Sequence, residues 1–278
     1  MASTKTQRFV STFFTHFTLL ILAFVMILPY FWMVSTAFKT FQETMAIPIR
    51  WLPNSFQLGN FQNVLGRLNF SRYYLNTFIK TMSVVSLQAL TCSMAAYGFA
   101  RIRFPGRSVI FMVLLSMMMI PSQMTIIPNF LLLSNFGWID TFAALIIPHF
   151  FSVYGTFFLR QFFLTIPGEL EEAAIIDGCS RLGIYARIFV PLSGAAFAAF
   201  AIFTVNWSWN DLMWPLIMTT RESIRVLAVG VATLSGQYFS RNDLLMAAAL
   251  LATGPLIVVF LILQKQFSAG VQLTGLKA

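Results

Sequence analysis

Charge is what this chain has least of. Only 10% of its 278 residues are Asp, Glu, Lys or Arg, 58% are hydrophobic, and mean hydropathy is +0.77. A soluble domain carries roughly a quarter charged residues, so a large water-exposed globular body is excluded and an all-α membrane protein is expected. Cysteine is nearly absent. Cys92 in an apolar run and Cys179 in an acidic loop make neither a disulfide framework nor a metal-ligand spacing. His16 and His149 sit in different apolar runs, where packing or an interhelical hydrogen bond is the expected role. No G-x-x-x-x-G-K-[ST] phosphate loop, G-x-G-x-x-G, H-E-x-x-H or G-x-S-x-G occurs. The chain therefore lacks that device for binding ATP, and no catalytic residue, metal site or cofactor of its own is expected. The 18 Lys and Arg against 9 acids give +9 but form no dense basic block. Nucleic acid is not an expected partner, and basic residues at membrane edges explain the sign. Ionisable groups inside the runs, expected of an ion-coupled secondary carrier, are also scarce. Lys80 and Arg160 fall near run ends, where snorkelling accounts for them, which leaves Asp211 as the exception. The chain reads as a path without its own motor.

What the chain has is long apolar runs. Six reach the length of about 20 residues that a bilayer helix needs, at roughly 13–36, 75–98, 108–133, 141–164, 188–214 and 243–264. The first is too long for a signal-peptide core and lacks a small-x-small cleavage site, so it is expected to be a retained anchor. The connection after the second run carries Arg101, Arg103 and Arg107 with no acid, and the one after the third, near Asn135 to Asp140, carries no Lys or Arg. Positive loops stay inside. This places both termini, with Lys5, Arg8, Lys265 and Lys277, and the 165–187 loop in the cytoplasm. Pro29, Pro121, Pro128, Pro148 and Pro255 lie in or beside runs, and most of them read as ordinary kinks, which membrane helices tolerate. No internal repeat interrupts a single domain over 1–278.

The 165–187 loop holds Glu169-Leu-Glu-Glu-Ala-Ala-Ile-Ile-Asp177-Gly178. Pro167 suits a first helical turn, and Glu169, Glu171 and Glu172 suit the positive end of the helix dipole. Leu170, Ala173 and Ala174 are expected to form one small apolar stripe, and Gly178 to adopt the left-handed conformation that ends the helix. An amphipathic helix on a loop beside a bilayer is well placed to touch a partner.

Two further stretches invite a role. In Asn206-Trp-Ser-Trp-Asn-Asp211-Leu-Met-Trp-Pro215, Asn206, Trp209, Asn210 and Asp211 are candidates for a polar patch along a solute path. The other reading is an interfacial aromatic belt of Trp207, Trp209 and Trp214, with Asp211 paired to a base such as Lys80. The outer segment around Arg221, Glu222, Ser223, Ile224 and Arg225 is either a partner-contact loop or a disordered connector.

These residues resemble a known family. Glu172-Ala-Ala-Ile-Ile-Asp177-Gly178, followed by Ile188-Phe-Val-Pro191-Leu192, resembles the Glu-Ala-Ala motif of ABC importer membrane subunits. Pro29-Tyr-Phe-Trp-Met-Val-Ser35 with Phe38-Lys39, Ala95-Ala-Tyr-Gly-Phe-Ala-Arg101-Ile-Arg-Phe-Pro105-Gly106-Arg107, Ile127-Pro128, Trp209-Asn210-Asp211 and Trp214-Pro215-Leu216 resemble its carbohydrate branch. Nearly the whole chain takes part, and it is similar to the smaller membrane subunit of maltose- and glycerol-phosphate-type importers. Thr77, where the family usually has Ser, and Cys179, where Ala is common, are departures. The resemblance implies six transmembrane helices with a cytoplasmic coupling helix between the fourth and fifth, in a bacterial cytoplasmic membrane. It implies a second permease subunit, two ATPase subunits that hold the ATP and Mg, and a periplasmic or lipid-anchored solute-binding protein. It assigns Glu172, Ala173, Ala174, Asp177 and Gly178 to ATPase coupling. Arg221, Glu222 and Arg225 become candidates for meeting the binding protein. The implied solute is a sugar or oligosaccharide, with glycerol 3-phosphate or a polyol as the alternative.

Overall fold

Apolar residues that must hide their backbone polar groups from lipid have few options, and helix is the one this chain takes throughout. The computed structural model describes residues 2–237 and 241–275, with side chains described for 9–234 and 241–262. Among the basic residues counted at the termini, Lys277 lies outside the described residues, as do the side chains of Lys5, Arg8 and Lys265. No strand occurs among the described residues. In chain order the α-helices are α1 (Ala2–Ala37), α2 (Phe41–Thr44), α3 (Gly59–Arg67), α4 (Phe70–Arg101), α5 (Arg107–Ser116), α6 (Ser122–Asn135), α7 (Phe142–Ile146) and α8 (Val153–Thr165). They continue with α9 (Gly168–Ile176), α10 (Arg181–Ile184), α11 (Val190–Leu192), α12 (Gly194–Asn210), α13 (Met213–Met218), α14 (Leu227–Gln237) and α15 (Asn242–Gly275).

Three helical stretches, Phe9–Ala37, Phe70–Arg101 and Asn242–Ile262, are each long and apolar enough to cross a bilayer. The other expected runs are bent pairs. Arg107–Met119 meets Ser122–Asn135 at 95°, Phe142–His149 meets Val153–Thr165 at 41°, and Arg181–Leu192 meets Gly194–Asn210 at 78°. Among the described residues the count is therefore three spans, or up to six if each pair is one. This limits the reading of most of these prolines as ordinary kinks. Pro29, Pro128 and Pro255 do lie inside helices that run on. Pro121 instead follows an extended Ile120 (φ −82°, ψ 117°), because proline pushes the preceding residue out of the α region. Around Pro191 the chain passes through a π-helical turn, Tyr185–Phe189. Pro191 has no N–H to give the carbonyl one turn back, and wide turns absorb such gaps.

The chain forms two compact units, Met1–Asn69 with Val231–Gly254, and Phe70–Gly230 with Pro255–Ala278. In the first, Thr40 and Glu43 form a capping box at the start of α2. The Glu43 carboxylate also accepts from Asn54 N at 2.9 Å. The backbone N–H groups of Thr40 and Asn54 hold that carboxyl below the usual range. Lys39 lies over the Trp32 ring at 4.0 Å and donates to the Arg50 carbonyl at 2.6 Å. In the second unit, α4 is the central post against which α8 and α12 pack. Cys92, Ala96, Tyr97, Leu159, Phe163, Ile184, Phe189 and Phe200 form its core. The crossing is tight at Gly155, where an added Cβ would sit 2.6 Å from the Phe200 ring.

Candidate functional site

The acidic loop forms a nine-residue helix, α9. Pro167 is its N-cap with extended backbone (φ −57°, ψ 138°), one residue before the first turn. At the other end Gly178 has φ +77°. Gly178 N donates to Ile175 O at 3.0 Å and Cys179 N to Ala174 O at 2.9 Å, the paired bonds of a Schellman ending.

The expected apolar stripe is not the face that packs. Leu170 and Ala173 are exposed, and the buried pair is Glu171 and Ala174. The reason is electrostatic. Glu171, only 8% exposed, pairs with Arg181 through its Oε1, and Arg101 Nε lies 4.0 Å from its Oε2. Arg101 in turn donates to the carbonyls of Phe163 and Ile166 at the end of α8 and lies over the Phe189 ring at 5.0 Å. One guanidinium thus closes α8 and faces α9. Glu171, Arg101 and Arg181 were missed as site residues. The signal available was the i, i+3 spacing of Glu171 and Ala174, which places them on one face. Turned outward are Glu172, Ala173, Asp177 and Gly178, with Ile175 and an 85% exposed Ile176.

At the far end of α12, Asp211 leaves the helix with extended backbone (φ −66°, ψ 112°). Its Oδ2 accepts from Lys80 Nζ at 2.8 Å, and its Oδ1 from Trp214 N at 3.4 Å. Lys80 also donates to Ser208 O at 3.1 Å. The Lys80 side chain is 1% exposed and that of Asp211 12%, so snorkelling does not describe Lys80. Its stem turns inward because a buried carboxylate is within reach.

The tryptophans do not form a belt. Trp209 and Trp214 are buried. Trp214 Nε1 donates to Ala144 O at 2.9 Å, and Trp209 faces Tyr74 at 6.3 Å. Trp207 is half-exposed. The rings of Trp207 and Trp214 stand edge-on to His149 at 5.0 and 4.8 Å. Asn206 and Asn210 are exposed, and Asn210 Nδ2 donates to Asn206 O at 2.9 Å and Oδ1 at 3.1 Å. Of the four solute-path candidates, Asp211 lines a cavity of about 780 Å³ and Asn206 a neighbouring one of about 470 Å³. Trp209 and Asn210 line neither, whereas Trp207, Trp214 and His149, not singled out for this role, line the first.

The outer segment is anchored, which removes the disordered-connector reading. Helices α13 and α14 occupy most of 215–237, leaving a short turn between them. Glu222 accepts from Tyr73 OH at 3.0 Å, and Asn76 donates to the carbonyls of Ser223 and Arg225 at 3.0 and 2.9 Å. Thr77 Oγ1 receives the N–H of Leu227 at 2.8 Å, a task any hydroxyl performs, so the departure from Ser keeps the bond. Asp140, in the left-handed region at φ 62°, accepts from Thr220 N at 2.6 Å, Thr220 Oγ1 at 2.6 Å and Arg221 N at 2.7 Å. Burial pushes the Asp140 carboxyl up, but these bonds outweigh it and hold its pKa below the ordinary value. The Arg221 side chain is 75% exposed, with its Nε 4.0 Å from Asp140 Oδ2.

Comparison with known proteins gives a consistent picture. Residues 89–273 match the family described as binding-protein-dependent transport system inner membrane component. The chain is 31% identical over 259 residues to the arabinooligosaccharides transport system permease protein of Halalkalibacterium halodurans, covering 92% of this chain and 93% of that one. It is 33% identical over 269 residues to the sn-glycerol-3-phosphate transport system permease protein of Escherichia coli, covering 93% and 95%. It is 30% identical over 274 residues to the diacetylchitobiose uptake system permease protein of Streptomyces coelicolor, covering 97% and 90%. Among solved structures, a bacterial ABC transporter that imports the acidic polysaccharide alginate aligns with TM-score 0.80 at 22% identity, covering 93% of this chain and 96% of that one. That likeness concerns the fold.

Proposed function

The chain belongs to the family of binding-protein-dependent transport system inner membrane components, and from that premise we propose that it is the membrane-spanning permease subunit of an ATP-driven importer for a sugar or oligosaccharide. The relatives are transport permeases for arabinooligosaccharides, diacetylchitobiose and glycerol 3-phosphate. On this reading the three long helices and the three bent pairs act as six spans of one transmembrane domain over 1–278. Both termini and α9 lie on the cytoplasmic side.

The observation that carries the mechanism is the outward face of α9. Ile175 and Ile176 stand exposed on a helix that Glu171 and Arg181 tie down from behind. Exposed apolar side chains on an anchored element mark a protein contact. The occupant on this reading is a separate ATPase subunit, which carries the ATP and Mg. Glu172 faces a basic partner, Ala173 allows close approach while Ala174 packs inward against the core, and Asp177 and Gly178 close the turn that presents them. ATP-driven closure of two ATPase subunits draws α9 and its counterpart on a second permease subunit together and opens the pathway outward. A binding protein delivers the solute at the outer surface, where Arg221, with Glu222 and Arg225 beside it, is held out by the Asp140 clasp. Of the four path candidates, Asn206 and Asp211 belong to the outer half of the path, with Asp211 fixed by Lys80, while Trp209 and Asn210 stand outside the two cavities.

The test is a cross-link. Ile176→Cys, in the complete complex, is expected to join a cysteine in the ATPase surface, with a yield that changes when ATP is added. A yield no higher than that of a cysteine at Arg221 would overturn the assignment of α9.

A further inference from the structure

The two cavities of the second unit share part of their lining. The larger, about 780 Å³, takes in Gln123, Asn129, His149, Trp207, Asp211 and Trp214 among its lining residues. The smaller, about 470 Å³, also includes His149 and Trp207, with Gln88, Ser152 and Asn206. The His149–Trp207 pair stands on the boundary the two share, its ring centroids 5.0 Å apart in an edge-on contact.

Three features of this lining speak to the chemistry of an occupant. The first is charge. Among the described residues that line the two cavities, Asp211 is the one charged side chain. Its counter-ion, Lys80, is 1% exposed and lines neither cavity. An anionic solute would meet the carboxylate end of the Lys80–Asp211 pair, with no cation on the cavity wall to offset the cost of taking its charge out of water. A hydroxyl meets a carboxylate with acceptor capacity to spare.

The second feature is the aromatic wall. Trp207, 48% exposed, and Trp214 offer ring surface to the larger cavity. The C–H faces of a pyranose or furanose lie flat on such rings, while Gln123 and Asn129 offer amides to its hydroxyls. A mostly apolar pocket with a few placed polar groups, within the size range of small-molecule sites, fits a short saccharide.

The third is an unpaired atom. His149 Nε2 is buried and has no hydrogen-bond partner among the described residues. Its ring is held edge-on between Trp207 and Trp214, and the carbonyl of the same residue takes the Gln88 side-chain N–H at 2.7 Å. Buried polar atoms are seldom left without partners. A solute hydroxyl supplies one where the half-exposed Trp207 ring turns aside from the imidazole.

We infer that this chain itself holds a binding site for a neutral saccharide, with His149 and Trp207 on the boundary between two subsites, and that the site disfavours anionic solutes. This rests on the permease reading above, and it selects among the solute types of the relatives: neutral oligosaccharides over glycerol phosphate or a uronate polymer.

The test uses the complete importer in proteoliposomes, with its partner permease, ATPases and binding protein. ATP-driven uptake is measured for arabinotriose, diacetylchitobiose, glycerol 3-phosphate and an alginate disaccharide. Uptake is expected for a neutral probe and not for either anion. Trp207→Ala is expected to assemble at wild-type yield and to lower uptake at limiting solute by about tenfold, the loss of roughly one good aromatic contact. Trp207→Phe should restore most of it. Uptake of either anion by the wild-type complex overturns the neutral assignment. Unchanged uptake at limiting solute in Trp207→Ala overturns the site. In both cases ATP-driven uptake by the wild-type complex leaves the permease reading standing.

Discussion

Replacing Gly178 isolates a single physical term. Its φ is +77°, and a Cβ built there meets nothing within 4 Å. No side-chain clash complicates the reading, so the cost of any substitution is that of the backbone. For an ordinary L-residue the left-handed conformation costs about 1–2 kcal/mol, and more for a β-branched one. Against this stand the two bonds of the Schellman ending, Gly178 N to Ile175 O and Cys179 N to Ala174 O, each contributing about 1 kcal/mol net. Gly178→Ala should therefore strain the turn without abolishing it. Gly178→Val should exceed what the two bonds return and unwind the last turn of α9, which carries Ile175 and Ile176. Gly178→Asn should be nearly silent, because Asn tolerates this region. The assay is ATP-driven uptake by the assembled complex, with insertion checked separately. The expected order is Gly, then Asn, then Ala, then Val, with Val down by at least about tenfold if roughly 1.4 kcal/mol separates the two turn states. Wild-type uptake by Gly178→Val, or an Asn variant as impaired as Val, would refute the argument from the backbone.

Two other predictions follow from the same geometry. Glu171→Gln should leave Arg101 on its α8 carbonyls and free Arg181. With Arg181 half-exposed, the cost is under about 1 kcal/mol, so assembly should persist while ATP hydrolysis responds less to binding protein; an unchanged response would deny Glu171 a positioning role. Because Asp140 has a lowered pKa, its clasp on Thr220 and Arg221 is complete above the ordinary carboxylate range and is lost as pH falls through the lowered value. Limited proteolysis at 219–226 should rise on acidification in the native chain and be pH-independent in Asp140→Asn.

Some of this was legible in the sequence. Apolar length located the runs, since lipid leaves a long segment no alternative to helix. Gly178 announced its own turn, because glycine beside an acidic helix has one common use. The breaks at Ile120 and Ser193 were not legible. A proline states that a bond is lost but not whether neighbours repair it or the chain turns by 95° or 78°. Nor was the inward face of α9. Hydrophobic patterning assigns Leu170 to the core and Glu171 to water, but a carboxylate that finds two arginines can displace a leucine. Those arginines lie far along the chain or across a turn, where no periodicity connects them. The Trp207–Trp209–Trp214 cluster failed for a related reason: alternate residues at a helix end point to different surroundings, and one composition hides both.

Gly155 and Phe200 divide one small volume between them, the ring already 2.6 Å from where a methyl group would stand. Both are buried, so the ring has no solvent side to swing toward. Position 155 cannot grow alone. A larger residue at 155 is viable only in a lineage where 200 has already shrunk, and a return to aromatic bulk at 200 is barred while 155 carries a side chain. The order in which such changes can be inherited is written into this one crossing.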